Sequence, residues 1–362
     1  MSAPDATLEA ILELARWAPS GDNTQPWRFE IAGPRHVVVH GHDTREHCVY
    51  DLDGHPSQMS LGALLETMAI AASSFRLSTH IHRRQQLPDP HPVFDVHFTK
   101  ELQLAADPLC DYILQRSVQR RPLRTRALSA AEKSALTAAL PPGYRLLWLE
   151  GLPLRLAMAR LLFRNAKLRL TMPEAYLVHR AVIEWQARYS TDRIPDQALG
   201  VDALTARLMR WIMHSWRRVA FFNTWLGGTL APRLQMDWLP GVACAAHLLI
   251  VAERSPHTLD DYVEAGRAMQ RLWLSATQQG LQLQPEMTPL IFSRYVRERR
   301  TFSATAGMHE QARALAQQGA TLIGQPAFDR SVFMCRIGAG ALAAARSTRL
   351  PLRDLLLPDT PP

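Results

Sequence analysis

Ser20, Asn23 and Gln25 stand in the run APSGDNTQPW, residues 18–27, between an apolar helical segment and an apolar strand. A connection this rich in amides and hydroxyls is often only a loop. Followed at once by Trp27, it is also what a site for a planar, polar-edged ligand needs, because each ring-edge donor or acceptor requires a partner once water is excluded. Three basic stretches, 116–126, 294–300 and 346–353, offer a second kind of chemistry. Such stretches are usually solvated faces; where guanidinium groups converge they hold phosphate. Other chemistries find less support. His36, His40, His42 and His47 lie close in sequence, as do His80 and His82, but they fall on a strand and its following turn, so no converging metal set is expected. Gly338 and Gly340 are too short a pattern for a dinucleotide fingerprint and open no βαβ unit.

These residues must be positioned by elements that the apolar spacing outlines. Leu8, Ile11, Leu12 and Ala15 recur at helical spacing, which predicts a helix over 6–17, closed by Pro19. Residues 27–31 and 36–40 read as strands around a Gly33-Pro34 turn. Residues 60–77 read as a helix with small residues along an apolar face, and 93–98 as an alternating strand. Residues 85–92 and 105–108 are Pro- and Asp-punctuated connections.

The chain of 362 residues, 47% hydrophobic and 20% charged, has the length of about two domains and enough apolar content for a core without disulfides. Its four cysteines, Cys48, Cys110, Cys244 and Cys335, form no C-x-x-C pair, so neither a zinc site nor a disulfide framework is expected and a reducing compartment fits. The opening MSAPDATLEA has no basic n-region or apolar h-region, and no run reaches about 18 apolar residues, so the expectation is a cytoplasmic protein without membrane insertion. The net charge of +8 admits an acidic partner, but no nucleic-acid motif accompanies it.

The sequence also resembles itself. Residues 62–81 match 266–285 at one constant offset: Gly62 with Gly266, Ala72 with Ala276, Leu77 with Leu281. Residues 26–33 match 144–151 at a smaller offset, so the second copy carries an insertion at roughly 152–240. Within it, 152–167, 173–189 and 202–223 read as amphipathic helices. The last holds Trp211, Trp216, Phe221 and Phe222, which suit a core or subunit contact, or a lid over a site.

Residues 15–29, ARWAPSGDNTQPWRF, resemble the A-x-x-A-P-S-x-x-N-x-Q-P-W-x-F motif of the nitroreductase family. Residues 115–121, QRSVQRR, resemble that family's R-R-S-x-R motif, and 266–285 its central helix with the G-L-x-x-x-P ending at Gly280, Leu281 and Pro285. Arg336, Ile337 and Gly338, with ARSTRLPL at 345–352, resemble its C-terminal strand and phosphate-contacting tail. The resemblance covers most of the chain outside the insertion. It implies an α+β fold of two repeats, 1–108 and 109–362, each a mixed, mainly antiparallel sheet packed on helices. The two central helices then form an internal pseudo-dimer, like the tandem, lid-bearing branch of the family. The motifs stand in reversed order here, so each repeat keeps one that the other has lost, which implies one intact site and one degenerate one. A monomer or a homodimer would both accommodate this.

The resemblance further implies FMN as cofactor. Its phosphate and ribityl chain would fall to Arg116, Ser117, Arg120, Ser347 and Arg349, with Arg346 as a second choice. Gln119 stands where the family places a second basic residue; Arg120 could replace that cation beside the ring, whose reduced form is anionic near N1 and O2. Pro19, Ser20, Asn23 and Gln25 would reach the flavin from the first repeat. Gln284, Pro285, Glu286 and Met287 would border the ring face, with a backbone N–H offered to N5 and Glu286 as the candidate catalytic side chain. NAD(P)H would deliver hydride, and a nitro, quinone or unsaturated small molecule would receive it; in a variant, the flavin would oxidise a biosynthetic intermediate. The alternative is an FMN-binding or storage protein with little turnover.

Overall fold

The structure, a computed structural model, describes residues 6–358; the outer limits of the two expected repeats, and the start of the opening segment read for a leader, lie outside the described residues. Helix α1 (Ala6–Ala15) buries Leu8, Ile11, Leu12 and Ala15 and stops two residues short of the expected Trp17. After the polar loop, β1 (Trp27–Gly33) and β2 (His36–Gly41) form a hairpin. Helix α2 (His55–Ser73) starts earlier than the expected residue 60, with Pro56 in its first turn where the missing N–H costs nothing. It also ends earlier. Arg76, at φ 56°, turns the chain, and Leu77, expected to end the helix, opens β3 (Leu77–Arg83), a strand absent from the expected elements. With β4 (Val93–Lys100) these strands form a sheet of order β1-β2-β4-β3.

The second half begins with α3 (Ala130–Ala138) and β5 (Tyr144–Glu150). Past the insertion come β6 (Ala246–Ala252), α8 (Leu259–Gln278), β7 (Leu281–Pro285), α9 (Thr288–Arg297), α10 (Met308–Ile323) and β8 (Ser331–Ala339). Its sheet runs β5-β6-β8-β7. That is the order of the first sheet, with α8 between second and third strands where the first has α2. Both ladders are wholly antiparallel. The expected mixed character is confined to isolated parallel bridges, Phe29 with Leu356 and Val118 with Leu283, and to two two-residue ladders, one within the insertion and one joining it to the C-terminal tail.

Helices α2 and α8 pack where the two halves meet. A Cβ on Gly62 would lie 1.9 Å from the Val263 carbonyl oxygen, and one on Gly266 would lie 2.0 Å from that of Met59. The contact is reciprocal: each glycine faces the carbonyl three residues before the other. Beside it, buried Glu66 accepts from Arg267 and Arg271, both at 2.8 Å, and Gln270 donates to Thr67 Oγ1 at 2.9 Å. The two half-buried guanidinium groups compensate the buried carboxylate, which has little access to water of its own.

The insertion replaces the tight turn that joins β1 to β2 in the first half. Helix α4 (Gly151–Leu170) is followed by α5 (Pro173–Val182), which ends well before the expected residue 189. Ile183 is extended (φ −93°, ψ 123°) and pairs with Ile194 instead, while Tyr189 and Ser190 pair with Arg346 and Ser347. The helix expected over 202–223 is two, α6 (Ala203–Ile212) and α7 (Trp216–Trp225). Ser215, in extended backbone, breaks it and caps α7 by accepting from the Arg218 N–H. Trp211 and Phe221 are exposed, so the aromatic stripe is not buried core. Among the described residues no helix is long and apolar enough to cross a membrane, and all four cysteines are free.

Candidate functional site

The polar loop is held in a conformation that L-residues avoid. Asp22, Asn23 and Gln25 have φ of 50°, 65° and 49°, and such positions persist only where surrounding bonds over-determine them. Ser20 Oγ accepts from the Gln25 N–H at 3.0 Å. Asn23 Nδ2 donates to the carbonyls of Thr191, Arg193 and Thr348 at 3.1–3.3 Å. Gln25 Nε2 donates to Thr191 O at 2.8 Å, and its Oε1 accepts from the Leu350 N–H at 2.9 Å. The loop is thus clamped at once to the insertion and to the C-terminal tail. Gln25 is fully buried in that clamp and does not border the cavity, a correction to its expected ligand contact.

A cavity of about 410 Å³ lies against this loop. Pro19, Ser20 and Asn23 border it from the first half, Arg116, Ser117 and Arg120 from the segment after the short 3-10 helix Pro108–Tyr112, Gln284 to Met287 from the β7–α9 junction, and Arg346, Ser347 and Arg349 from the tail. Ser20 and Asn23 therefore share one cavity with Ser117 and Arg349. Gln119 does not reach it. Its amide donates to Ala341 O at 2.8 Å and accepts from the Arg121 N–H at 3.1 Å, and it borders a separate open cleft of about 630 Å³.

One end of the cavity is cationic without compensation. Arg116 donates to Trp17 O at 2.9 Å and lies 4.7 Å over the Trp273 ring. Arg349 donates twice to Ala18 O, at 3.0 and 2.8 Å. Arg346 donates to Leu114 O at 2.9 Å and lies 5.0 Å over Trp17. Among the described residues no carboxylate pairs with any of the three, and the Nε atoms of Arg116 and Arg346 are buried without a partner. Burial and then mutual repulsion push the pKa of Arg116 well down and that of Arg349 to about 9. Positive groups crowded together in low dielectric are stabilised by a bound anion.

The other end is mixed, and much of it lay outside any sequence motif. Tyr50 Oη lies 2.8 Å from His179 Nε2, and Arg169 contacts Asp237 at 3.2 Å. His179, Arg169 and Asp237 all come from the insertion. Burial, helped by Arg169, lowers His179 to about 3, so its imidazole is neutral. Burial also raises Asp22 and Asp237, against the pull of nearby arginines. Arg336 donates to Glu286 at 3.0 Å and to Arg120 O at 2.9 Å, adding a cation beside Arg120. Only chain order across 50 or more residues brings these groups together, so no local spacing announced them.

Glu286 borders the cavity, but its chemistry is committed elsewhere, which corrects its expected catalytic role. Its carboxylate takes His247 Nδ1 at 2.7 Å and Arg336, and its N–H donates to Met334 O at 2.8 Å. Gln284 donates to Pro285 O at 2.8 Å, leaving its Oε1 buried and unpaired. His247 Nε2 points at Gly241 O at 2.8 Å, so both ring nitrogens face acceptors and the imidazolium form suits the site. Burial opposes the charge, but Glu286 and Cys244 prevail and hold the His247 pKa at about 10. A group whose folded pKa is raised lends stability that is complete below its unfolded value near 6.5 and is lost as pH climbs through 10. We therefore expect the melting temperature to fall between pH 7 and pH 10. Glu286→Gln should flatten that fall; an unchanged slope in the variant would exclude the ion pair as its cause.

His36, the first of the histidines read as not converging, meets His97 and Asp95, which that reading did not include. His36 stacks on His97 at 4.1 Å and lies 2.9 Å from Asp95, and the ligand atoms of the three fall within 4.8 Å of one another. Both Asp95 oxygens accept from Arg84 at 2.8 Å, which holds the carboxyl well below its usual range. The cluster is thus a cross-strand ion-pair network with Arg84 seated on its only carboxylate.

Residues 2–58, which span α1, the polar loop and the first hairpin, match the model of the nitroreductase family. The match is to this segment, about a sixth of the chain. A curated relative, an uncharacterized protein of Mycobacterium tuberculosis (strain CDC 1551 / Oshkosh), is 27% identical over 295 residues, covering 79% of this chain. The match covers 39% of that relative, so the chain spans about two fifths of its length. Two solved structures are similar in part. A nitroreductase-like family protein from Bacillus cereus is 14% identical, with 68% of this chain and 94% of that one covered and a TM-score of 0.33. A nitroreductase with bound FMN from Bacteroides fragilis NCTC 9343 is 12% identical, with 65% and 89% covered and a TM-score of 0.35. The architecture of this chain accordingly rests on its own strand order and helix packing.

Proposed function

We propose that the cavity holds FMN and that the chain is an FMN-dependent oxidoreductase. The observation that carries this reading is the cluster of Arg116, Arg346 and Arg349, which has no carboxylate partner among the described residues. A phosphate dianion would meet the unpaired Nε groups, with Ser117 adding a hydroxyl, whereas the Ser347 hydroxyl expected there already donates to Arg193 O at 2.8 Å. The unpaired acceptors Gln284 Oε1 and Asn23 Oδ1 suit ribityl hydroxyls or ring N–H groups. The cavity volume falls in the range of cofactor sites, roughly 300–1,000 Å³.

FMN would supply the capacity to accept and pass on hydride; the protein's part is orientation and electrostatics. Arg120, with Arg336 behind it, places positive charge where Gln119 leaves none. Burial keeps the Tyr50 phenol neutral, and with His179 Nε2–H donating to its Oη the phenol hydrogen would be free for a second ligand. The insertion contributes Leu162, Met209, Met213 and Met236 to the walls, which excludes water. NAD(P)H is the proposed hydride donor, and a nitro, quinone or unsaturated compound the acceptor. We further read the halves 1–108 and 109–362 as tandem repeats, with 152–240 inserted. The shared strand order and reciprocal glycines support that division. Both halves contribute to the cavity within one chain, so a monomer suffices.

The extensive cover from the insertion also favours the second reading, an FMN-binding or storage protein with little turnover. One experiment separates them: the absorbance spectrum of protein reconstituted with FMN, before and after anaerobic NADH or NADPH. Bound flavin that bleaches supports the oxidoreductase; bound flavin that no donor bleaches supports storage. Failure to retain FMN at all would overturn both.

A further inference from the structure

We propose that α6 and α7 form a docking surface for an anionic lipid bilayer, a reading that does not depend on FMN. Residues 203–236 contain no Asp or Glu, while Arg207, Arg210, Arg217 and Arg218 are exposed there. Apolar side chains stand beside them. Leu204, Leu208 and Trp211 share one face of α6 at i, i+4 and i+7, and Leu204 is 76% exposed. Phe221 and Trp225 follow at i and i+4 on α7, Trp225 at 73% and the adjoining Leu226 at 60% exposure.

The two helices are fastened together. The Arg218 guanidinium lies 4.6 Å over the Trp211 ring and donates to Trp211 O at 3.0 Å. The nearest acids along the chain do not neutralise the patch. Asp202 caps α6 by accepting from the Leu204 and Thr205 N–H groups, and Asp237 pairs with Arg169 inside the cavity. Arg207 and Arg210 also border the open cleft, so their charge is available to solvent.

Large apolar side chains among arginines, with no acid, match the demands of a bilayer surface. Leu and Trp enter the acyl boundary while guanidinium groups meet lipid phosphates. A second copy of the chain is a poorer occupant, because an isologous contact would set these arginines against their own copies. Nucleic acid would satisfy the arginines but offers nothing to Leu204, Leu208 and Leu226. Met209 on α6 and Met213 just past its end border the cavity, so docking would act on a wall of the site.

The test is flotation of the full chain with vesicles of phosphatidylcholine alone or mixed with phosphatidylglycerol. Retention is expected on the anionic vesicles, weakening as salt rises. Phe221→Ser/Trp225→Ser and Arg210→Gln/Arg217→Gln should each lower the partition coefficient about tenfold or more while circular dichroism and melting stay as in the parent. If one pair fails to fold, the other carries the test. Absence of retention on anionic vesicles at low salt, or variants retained as strongly as the parent, would overturn the proposal. So would a parent dimer, seen by light scattering, that the Phe221/Trp225 pair abolishes, or DNA that displaces the vesicles.

Discussion

Arg116→Gln should weaken FMN binding by about two orders of magnitude, about 2–4 kcal/mol, while leaving riboflavin binding close to unchanged. The difference between the two ligands is the phosphate, so the ratio of their affinities isolates the contact from any general damage to the cavity. The substitution removes a buried guanidinium whose Nε lacks a partner and whose neighbours Arg346 and Arg349 repel it. Without ligand, that repulsion and the burial of charge are costs to the folded state, offset in part by the bond to Trp17 O and the Trp273 ring. The ligand-free variant should therefore melt no lower than the parent, and the stabilisation conferred by FMN should shrink. Equal losses for FMN and riboflavin would place the flavin phosphate elsewhere.

Gly62→Ala and Gly266→Ala should each destabilise the protein by about 3 kcal/mol or more, read from chemical denaturation. The added carbon would meet a backbone carbonyl oxygen at 1.9 or 2.0 Å, and backbone cannot swing aside as a flexible side chain can. Relief requires α2 and α8 to separate, which would stretch the bonds of Glu66 to Arg267 and Arg271 and of Gln270 to Thr67. Since both substitutions open the same seam, the double variant should cost less than the sum of the two. Gly21→Ala is the control: no atom lies within 4 Å of its Cβ position. Two alanine variants as stable as the control would show that the seam is looser than its geometry implies.

The division between sequence and tertiary structure follows from what each kind of signal encodes. The amino-acid order alone was sufficient for α1, the first hairpin and the central helices, since apolar spacing, Pro and Gly act over a few residues. It also marked Gly62 and Gly266 as equivalent and named most of the cavity's polar residues, because Ser20, Asn23, Arg116 and Arg349 sit in compact motifs. Strand β3 was hidden because its exposed face is polar and no Gly or Pro separates its start from the preceding helix. The side-chain assignments that changed were those decided by partners distant in sequence. Gln25 turned away because Thr191 and Leu350 bind it, Gln119 because Ala341 does, and Glu286 because His247 and Arg336 claim its carboxylate. Tyr50, Arg169, His179 and Asp237 joined the site only through the packing of the insertion. A short motif specifies which groups are offered; which ones remain free to meet a ligand depends on hydrogen bonds that the whole fold must close first.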